Sequence, residues 1–446
     1  MTHMKNVDFY DIRVVDATTT SIIIDNGNVE EISVNYTRGG GIRALCGGSW
    51  GFTSADGYFD EKKALNAASE LAISMNSRHP KEKVDLTPIG KPTLKDLPRI
   101  KIDPRDISIE EKVDLLKEMS KRAKLEAISS TSAVYSESEV KVCYTSIDGL
   151  DCEYELIRSG FAVSAVASEN GVYQAGRESK FGVKGYEIFD ETNALELATN
   201  AANEALKLIH AKPAKGGNIP VILDQELAGV FVHEAVGHAS EADLVLEGSS
   251  VLENMIGKQI ASPLITIVDD PTLHEYGYFP FDDEGAQSQK TTIIKDGVLR
   301  SFLHSRETSA KIGGQPGHSR CQGYSMPIVR MSNTYIENGK STFEEMLEEI
   351  GDGMYLIGSR GGQVNTGEGI FQFNAEKAYL IEKGEITTLM RDVSLSGKTL
   401  EILNNVTHVG NDLKMNSGRC GKGGQLVPVS DGSPHLCISK AVVGGA

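Results

Sequence analysis

Turn-forming dipeptides set inside β-rich runs are what most constrain the fold open to this chain. Asn26-Gly27 interrupts SIIIDNGNVEEISVNY (residues 21–36), and Asp148-Gly149 interrupts an alternating run from residue 128 to about 175. Asn-Gly and Asp-Gly accept the backbone of tight hairpin turns, so both segments read as antiparallel strand pairs. Asp296-Gly297, Asn338-Gly339 and Lys383-Gly384 punctuate the later half at spacings suited to further hairpins.

Helical periodicity appears between these runs. YFDEKKALNAASELAISMN (58–76) and SIEEKVDLLKEMSKRAKL (108–125) carry apolar residues at helical spacing, the second with Ser108 and Glu111 placed as a capping box. The stretch between them, RHPKEKVDLTPIGKPTLKDLPRIKIDP, is rich in proline and lysine and reads as a long irregular connection. Another helix is expected over 191–210. AKPAKGGNIP (211–220) has two prolines, two glycines and no periodicity, and is the best linker candidate. The expected organisation is therefore α+β: an N-terminal α/β domain (1–215), then a β-rich, mainly antiparallel C-terminal domain (216–446). That second domain opens with a strand at IPVILDQE and a helix from about Asp224, and it carries a further helix at 343–350.

A chain of 446 residues is long enough for two or three domains, each with its own core. Its six cysteines show no C-x-x-C spacing and no signal peptide precedes them, which predicts free thiols in a reducing cytoplasm. The apolar runs fall short of a membrane span. A formal charge of -17 without a basic block makes nucleic acid or an anionic membrane a poor partner.

One stretch carries chemistry. VFVHEAVGHASEAD (230–243) sets His233 and His238 around Glu234 on an apolar, helix-like run. The zinc-peptidase pattern H-E-x-x-H spaces its histidines four apart, and here they are five apart. Five positions on a regular helix are about 140° apart, so one ion could not easily take both imidazoles. Gly237, just before the second histidine, would let the backbone leave regular geometry through a π-bulge or a helix end. Glu234 then stands where such enzymes keep their general base. Burying two imidazoles and a carboxylate unpartnered costs several kcal/mol, and a metal would remove that cost. Glu241, Asp243, His274 or a distant cysteine could supply a third ligand. In SGRCGKGGQLVPVSDG, Cys420 lies among four glycines, which suits a loop of close turns, and Arg419 and Lys422 would favour its thiolate.

HEAVGHASEAD followed by GRCGKGGQ strongly resembles the TldD/PmbA family of zinc-dependent peptidases. GGGIRALCGGSWGFTSAD (39–56), FDDEGAQSQ (281–289), MPIVRMSNTYIENG (326–339) and GSRGGQVNTGEGIFQFNAEKAYLIEKGEITT (358–388) look like that family in the same order. The likeness spans essentially the whole chain. It implies Zn²⁺ held by His233, His238 and Cys420, with Glu234 as the base of a zinc-activated water. It further implies hydrolysis of small peptides or unfolded polypeptide segments, and a homodimer or a heterodimer with a PmbA/TldE-like partner. The metal-site positions all match, as in the TldD-like, metal-binding members.

Other signals are weaker. His318 and Arg320, in a glycine-rich setting, are candidates for holding a substrate carbonyl or an oxyanion. Gly361 and Gly362 of GSRGGQVN, with the strand IFQFN, are candidates for pairing with an extended peptide. SLSGKT lacks the first glycine of a phosphate loop, Asp392 standing there, and no G-x-S-x-G is present. Two rival readings stay open: a thiol hydrolase with Cys420 as nucleophile, and a non-catalytic regulatory or partner-binding subunit.

Overall fold

The computed structural model describes residues 7–79 and 82–445. Strands β1 (Phe9–Asp25), β2 (Asn28–Cys46), β3 (Ser49–Asp56), β4 (Ile128–Ser146), β5 (Asp151–Glu169) and β6 (Val172–Gly182) form one sheet in the order β3-β2-β1-β4-β5-β6. Every neighbouring pair is antiparallel. The first hairpin turns at Asn26 and Gly27, whose φ angles of 49° and 80° are those this dipeptide tolerates. Helices α1 (Glu61–Arg78), α2 (Ile109–Ala123), α3 (Ile188–Glu191) and α4 (Ala194–Ile209) accompany this sheet. The Ser108–Glu111 capping box opens α2 as expected. Side chains alternate across a strand. Ile12, Ile22 and Ile24 of β1 therefore pack under the helices, while Arg13 and Val15 look to the opposite face, towards the second domain.

The connection after α1 carries no helix or strand from residue 82 to 103; Pro80 and Lys81 lie outside the described residues. It is tied to the second domain, Thr87 N–H donating to Arg306 O at 3.1 Å.

The expected linker is only partly a linker. Strand β7 (Lys212–Pro213) pairs in parallel with Met390–Arg391, and β8 (Gly217–Leu223) enters the second domain's sheet. There, β8 pairs with Gly353–Asn365 and Leu436–Gly445, and the latter with Val393–Lys398. Ile370–Glu382 closes the ring by pairing with both Val393–Lys398 and Gly353–Asn365, making a small barrel. A second sheet, mostly antiparallel, includes the hairpin of Lys414–Lys422 and Gln425–Ser433. Asn338-Gly339 makes no hairpin: strand Asn333–Ile336 leads instead into helix Phe343–Ile350. Glycine is required there by close packing, because a Cβ on Gly339 would lie 2.2 Å from Val409 O.

Helix α5 (Gln225–Val232) follows β8 directly. Asp224 caps it, accepting from Leu227 N–H at 2.9 Å and from Gly358 N–H at 3.1 Å, which fixes its start to the barrel wall. Phe231 is fully buried and meets Phe371 edge-on, ring centroids 5.2 Å apart. This anchoring holds the following residues in place.

Candidate metal centre

Regular α-helix ends at Val232; His233–Gly237 make one π-helical turn and His238–Ser240 a 3₁₀ turn. The His238 N–H donates to His233 O, the i to i+5 bond of a π-turn. One extra residue in the turn brings the fifth position back over the first. The two imidazole centroids are 5.3 Å apart with planes at 86°.

Glycine at 237 serves a purpose other than the expected one. Its φ and ψ, both −57°, are ordinary helical values, so no backbone freedom is used. A Cβ there would lie 1.9 Å from Met331 Sδ, and Met331 is fully buried. The turn approaches Met331 too closely for any side chain.

Cys420 reaches the same point from the second sheet. It belongs to strand Lys414–Lys422 rather than to a loop, paired with Val427, and only Gly423 and Gly424 form the turn, at φ 58° and 73°. Arg330, fully buried, donates to Cys420 O and so pins the strand. Cys420 Sγ lies 3.4 Å from His238 Nε2, and one donor atom from each of His233, His238 and Cys420 lies within 4.8 Å of the others. A tetrahedral ion with bonds of about 2.0–2.3 Å to nitrogen and sulfur holds its ligands at such separations, so this donor set fits zinc.

The electrostatics of the three groups are mutual. Burial pushes the Cys420 thiol up, but the charges and hydrogen bonds of His233 and His238 outweigh it and bring the thiol down to about 5. Burial lowers both histidines, and the opposing pull of Cys420 on His233, and of Glu241 and Cys420 on His238, leaves each raised. The two imidazoles are therefore the main groups that bring this thiol down.

Two of the alternative ligands support the site from behind. Glu241 is fully buried, and its Oε2 lies 3.0 Å from His238 Nδ1, which leaves Nε2 facing Cys420. Lys422 Nζ lies 3.1 Å from the same Glu241 oxygen and donates to both Asp243 oxygens at 2.7 and 2.8 Å. Asp431, buried beside α5 at Gly229, is pushed up to about 7 by burial against the pull of His233. Sequence reading did not single out Asp431, Arg330 or Met331. Nothing local marks them, since each acts through a contact between distant segments. His274 does not join the group; its Nε2 lies 2.5 Å from Asp96 O.

A cleft of about 560 Å³ reaches the donor set at His233 and is lined further by Glu234, Ser359, Gly361 and residues of β6. Glu234 is partly exposed there, its Oε2 3.9 Å from His238 Nε2. Gly361 thus faces the cleft. Gly362 packs against the neighbouring strand, where a Cβ would meet Gln372 O at 2.3 Å. The strand IFQFN has partners on both edges and has no free edge for a peptide. His318 and Arg320 stand apart from the cleft. His318 is fully buried with Nε2 3.3 Å from Asp269, and Arg320 donates to Met331 O and Pro428 O. Neither residue lines the metal cleft, and Arg320 instead borders a separate cavity.

A π-turn pair of histidines and a strand cysteine thus form a buried donor set that could hold a metal ion, set between a small barrel and a second sheet. Profiles of the PmbA/TldA metallopeptidase match in chain order: domain 1 over residues 10–75, the central domain over 102–209 and the C-terminal domain over 216–445. The chain belongs to the TldD/PmbA family. A metalloprotease of Archaeoglobus fulgidus is 44% identical over 439 residues, covering 98% of this chain and 100% of its own. The zinc metalloprotease TldD homolog of Saccharolobus solfataricus is 31% identical over 442 residues, covering 98% and 96%. Among solved structures, a Thermotoga maritima protein described as a candidate modulator of a DNA gyrase superposes with a TM-score of 0.82 at 24% identity, covering 98% and 96%. TldE from Thermococcus kodakarensis superposes at 0.76 and 19% identity, covering 99% and 98%. These last two share the fold. Among the described residues no helix is long and apolar enough to cross a membrane.

Proposed function

We propose that the chain is a zinc peptidase in which His233, His238 and Cys420 hold the metal and Glu234 is the general base. The convergence of three buried donor atoms within 4.8 Å, next to a partly exposed carboxylate in a cleft, is the observation that carries this reading. When bound, the ion supplies a Lewis acid that polarises a carbonyl and acidifies water. Glu234 takes the proton of the attacking water and passes it to the leaving amine. Glu241, through His238 Nδ1, keeps Nε2 aimed at the metal position. Arg330 holds Cys420 from its carbonyl side.

The cleft is of a size for an extended peptide of a few residues, so small peptides or unfolded segments are the substrate class. The strand Gly353–Asn365 carries Ser359 and Gly361 on the cleft wall, and β8 pairs with it only at Met354–Leu356, which supports strand addition by such a peptide on its open edge. A TldE-like chain or a second copy is the proposed partner, as the family likeness implies, and the Thermococcus TldE has the same fold.

Metal content by mass spectrometry, on protein purified without added metal, is the first test. About one zinc per chain, lost in Cys420→Ala, is expected. Glu234→Gln should keep the metal and lose peptide hydrolysis, and turnover that survives this change would remove Glu234 as base. The lowered Cys420 thiol favours one rival, the thiol hydrolase, although Cys420 is only 2% exposed. That rival predicts activity that withstands chelation and is lost to alkylation.

A further inference from the structure

Beside the cleft, between the two domains, lies a second cavity of about 240 Å³. Its wall on one side is the sheet face opposite the helices, which contributes Arg13 from β1 and Arg158 from β5; the second domain contributes Asp283, Arg320 and Arg419. The charges do not balance. Arg13 Nε lies 2.6 Å from Asp283 Oδ1. Arg158 donates only to backbone, to Tyr276 O at 3.1 Å and Tyr278 O at 2.6 Å. Arg320 likewise donates only to Met331 O and Pro428 O, with its guanidinium 4.9 Å over the Phe279 ring. Among the described residues neither has a carboxylate within ion-pair distance. Arg419, exposed, has no hydrogen-bond or ion-pair partner among them either.

The other nearby acids are already engaged. Asp269 accepts from Ser332 and Thr334, and Asp282 accepts backbone N–H groups from Glu284, Ala286 and Ser319. Burial and the Glu284 charge also push Asp282 well above the usual carboxylate range. Backbone carbonyls satisfy guanidinium hydrogen bonds but not their charge, and an uncompensated buried charge is costly. Burial, followed by the neighbouring Arg158, brings Arg320 down to about 10. Three guanidiniums thus share one ion-paired carboxylate around a space that opens towards a fourth.

Guanidinium forks match the geometry of a carboxylate. Arg419, one residue before Cys420, lines both this cavity and the metal cleft, so its side chain borders both spaces. We propose that the interdomain cavity is an oxyanion subsite that takes a carboxylate, terminal or side-chain, of a peptide lying in the cleft. This rests on the peptidase reading above and adds a preference for acidic or free-carboxyl substrates.

The test uses the full chain, zinc-loaded and carrying Glu234→Gln so that peptides are not consumed. Calorimetry compares three probes: acetyl-tetraalanine with a free carboxyl, the same peptide as its amide, and an amide with one alanine replaced by glutamate. The free acid, the glutamate amide or both should bind about tenfold more tightly than the plain amide, since charge-assisted bonds of this kind exceed neutral ones by 1.4 kcal/mol or more, about a factor of ten. Which of the two is favoured identifies the carboxylate's source. The preference should disappear in Arg158→Gln and in Arg419→Gln; Arg419 has no partner to lose, so that variant tests the site even if Arg158→Gln folds poorly. Equal binding of all three peptides, or a preference that persists in both variants, overturns the proposal. If no peptide binds, sodium acetate separates the failures. Acetate that raises the melting temperature of the parent but not of Arg419→Gln keeps the oxyanion site and defeats the peptide-cleft reading; acetate without such an effect defeats both.

Discussion

Gly237→Ala should damage the metal centre without touching a ligand. The added methyl would stand 1.9 Å from Met331 Sδ and 3.2 Å from its Cγ and Cε. Comfortable non-bonded contacts are about 3.5–4.0 Å, so something must move by roughly 2 Å. Met331 is fully buried in the main core and cannot swing to solvent, and the π-turn is held by α5 on one side and by the 3₁₀ turn on the other. Overpacking of this kind costs about 1–3 kcal/mol. If the turn yields instead of Met331, His238 withdraws from its 3.4 Å approach to Cys420 and the donor set opens. The expected result is a lower urea midpoint for the metal-free protein, corresponding to a loss of about 1–3 kcal/mol of unfolding free energy, together with zinc affinity reduced about tenfold or more in competition with a chelator. Met331→Ala in the same chain should restore much of the zinc affinity, because it frees the space the methyl needs, although its own cavity costs about 2–5 kcal/mol of stability. A Gly237→Ala protein with wild-type stability and wild-type zinc affinity would refute this account of the glycine.

Glu241→Gln keeps a hydrogen-bond acceptor for His238 but removes the charge, and should weaken zinc binding about 10- to 100-fold, the usual effect of losing such a partner; Glu241→Leu should weaken it further, both read by chelator competition. Cys420→Ser should bind zinc much more weakly than the parent at neutral pH and should lose the sulfur-to-metal charge-transfer band of the cobalt-substituted protein, since a hydroxyl is a poor replacement for a thiolate. His304, 2% exposed, is brought down from 6.5 to about 4 by burial and then by the His318 charge. Its depressed value means that the unfolded chain takes up a proton between pH 6.5 and 4 while the native chain does not. The stability it contributes is complete above 6.5 and falls by about 3 kcal/mol as the pH drops to 4. His304→Gln should flatten that part of the pH–stability curve, and an unchanged slope would remove His304 as its source.

The sequence by itself determined the elements that rest on neighbours along the chain. Asn26-Gly27 and Asp148-Gly149 turned their hairpins, and Ser108 with Glu111 capped α2, because turn chemistry and capping involve residues within four positions of each other. The H-E-x-x-x-H spacing required a departure from regular helix, and the π-turn at His233–Gly237 is that departure. Only the tertiary structure decided what depends on contact between remote segments. It set Cys420 on a strand opposite the histidines, moved Glu241 and Lys422 from candidate ligand and thiolate partner to supports, and gave Gly237 its reason in Met331 rather than in its backbone. It also removed His318 and Arg320 from the cleft, and turned Lys212–Pro213 of the expected linker into a strand. A residue's type and spacing state what chemistry it can do. Which partners stand within 3 or 4 Å is fixed by how the barrel, the second sheet and the first domain pack, and that information is spread over the whole chain.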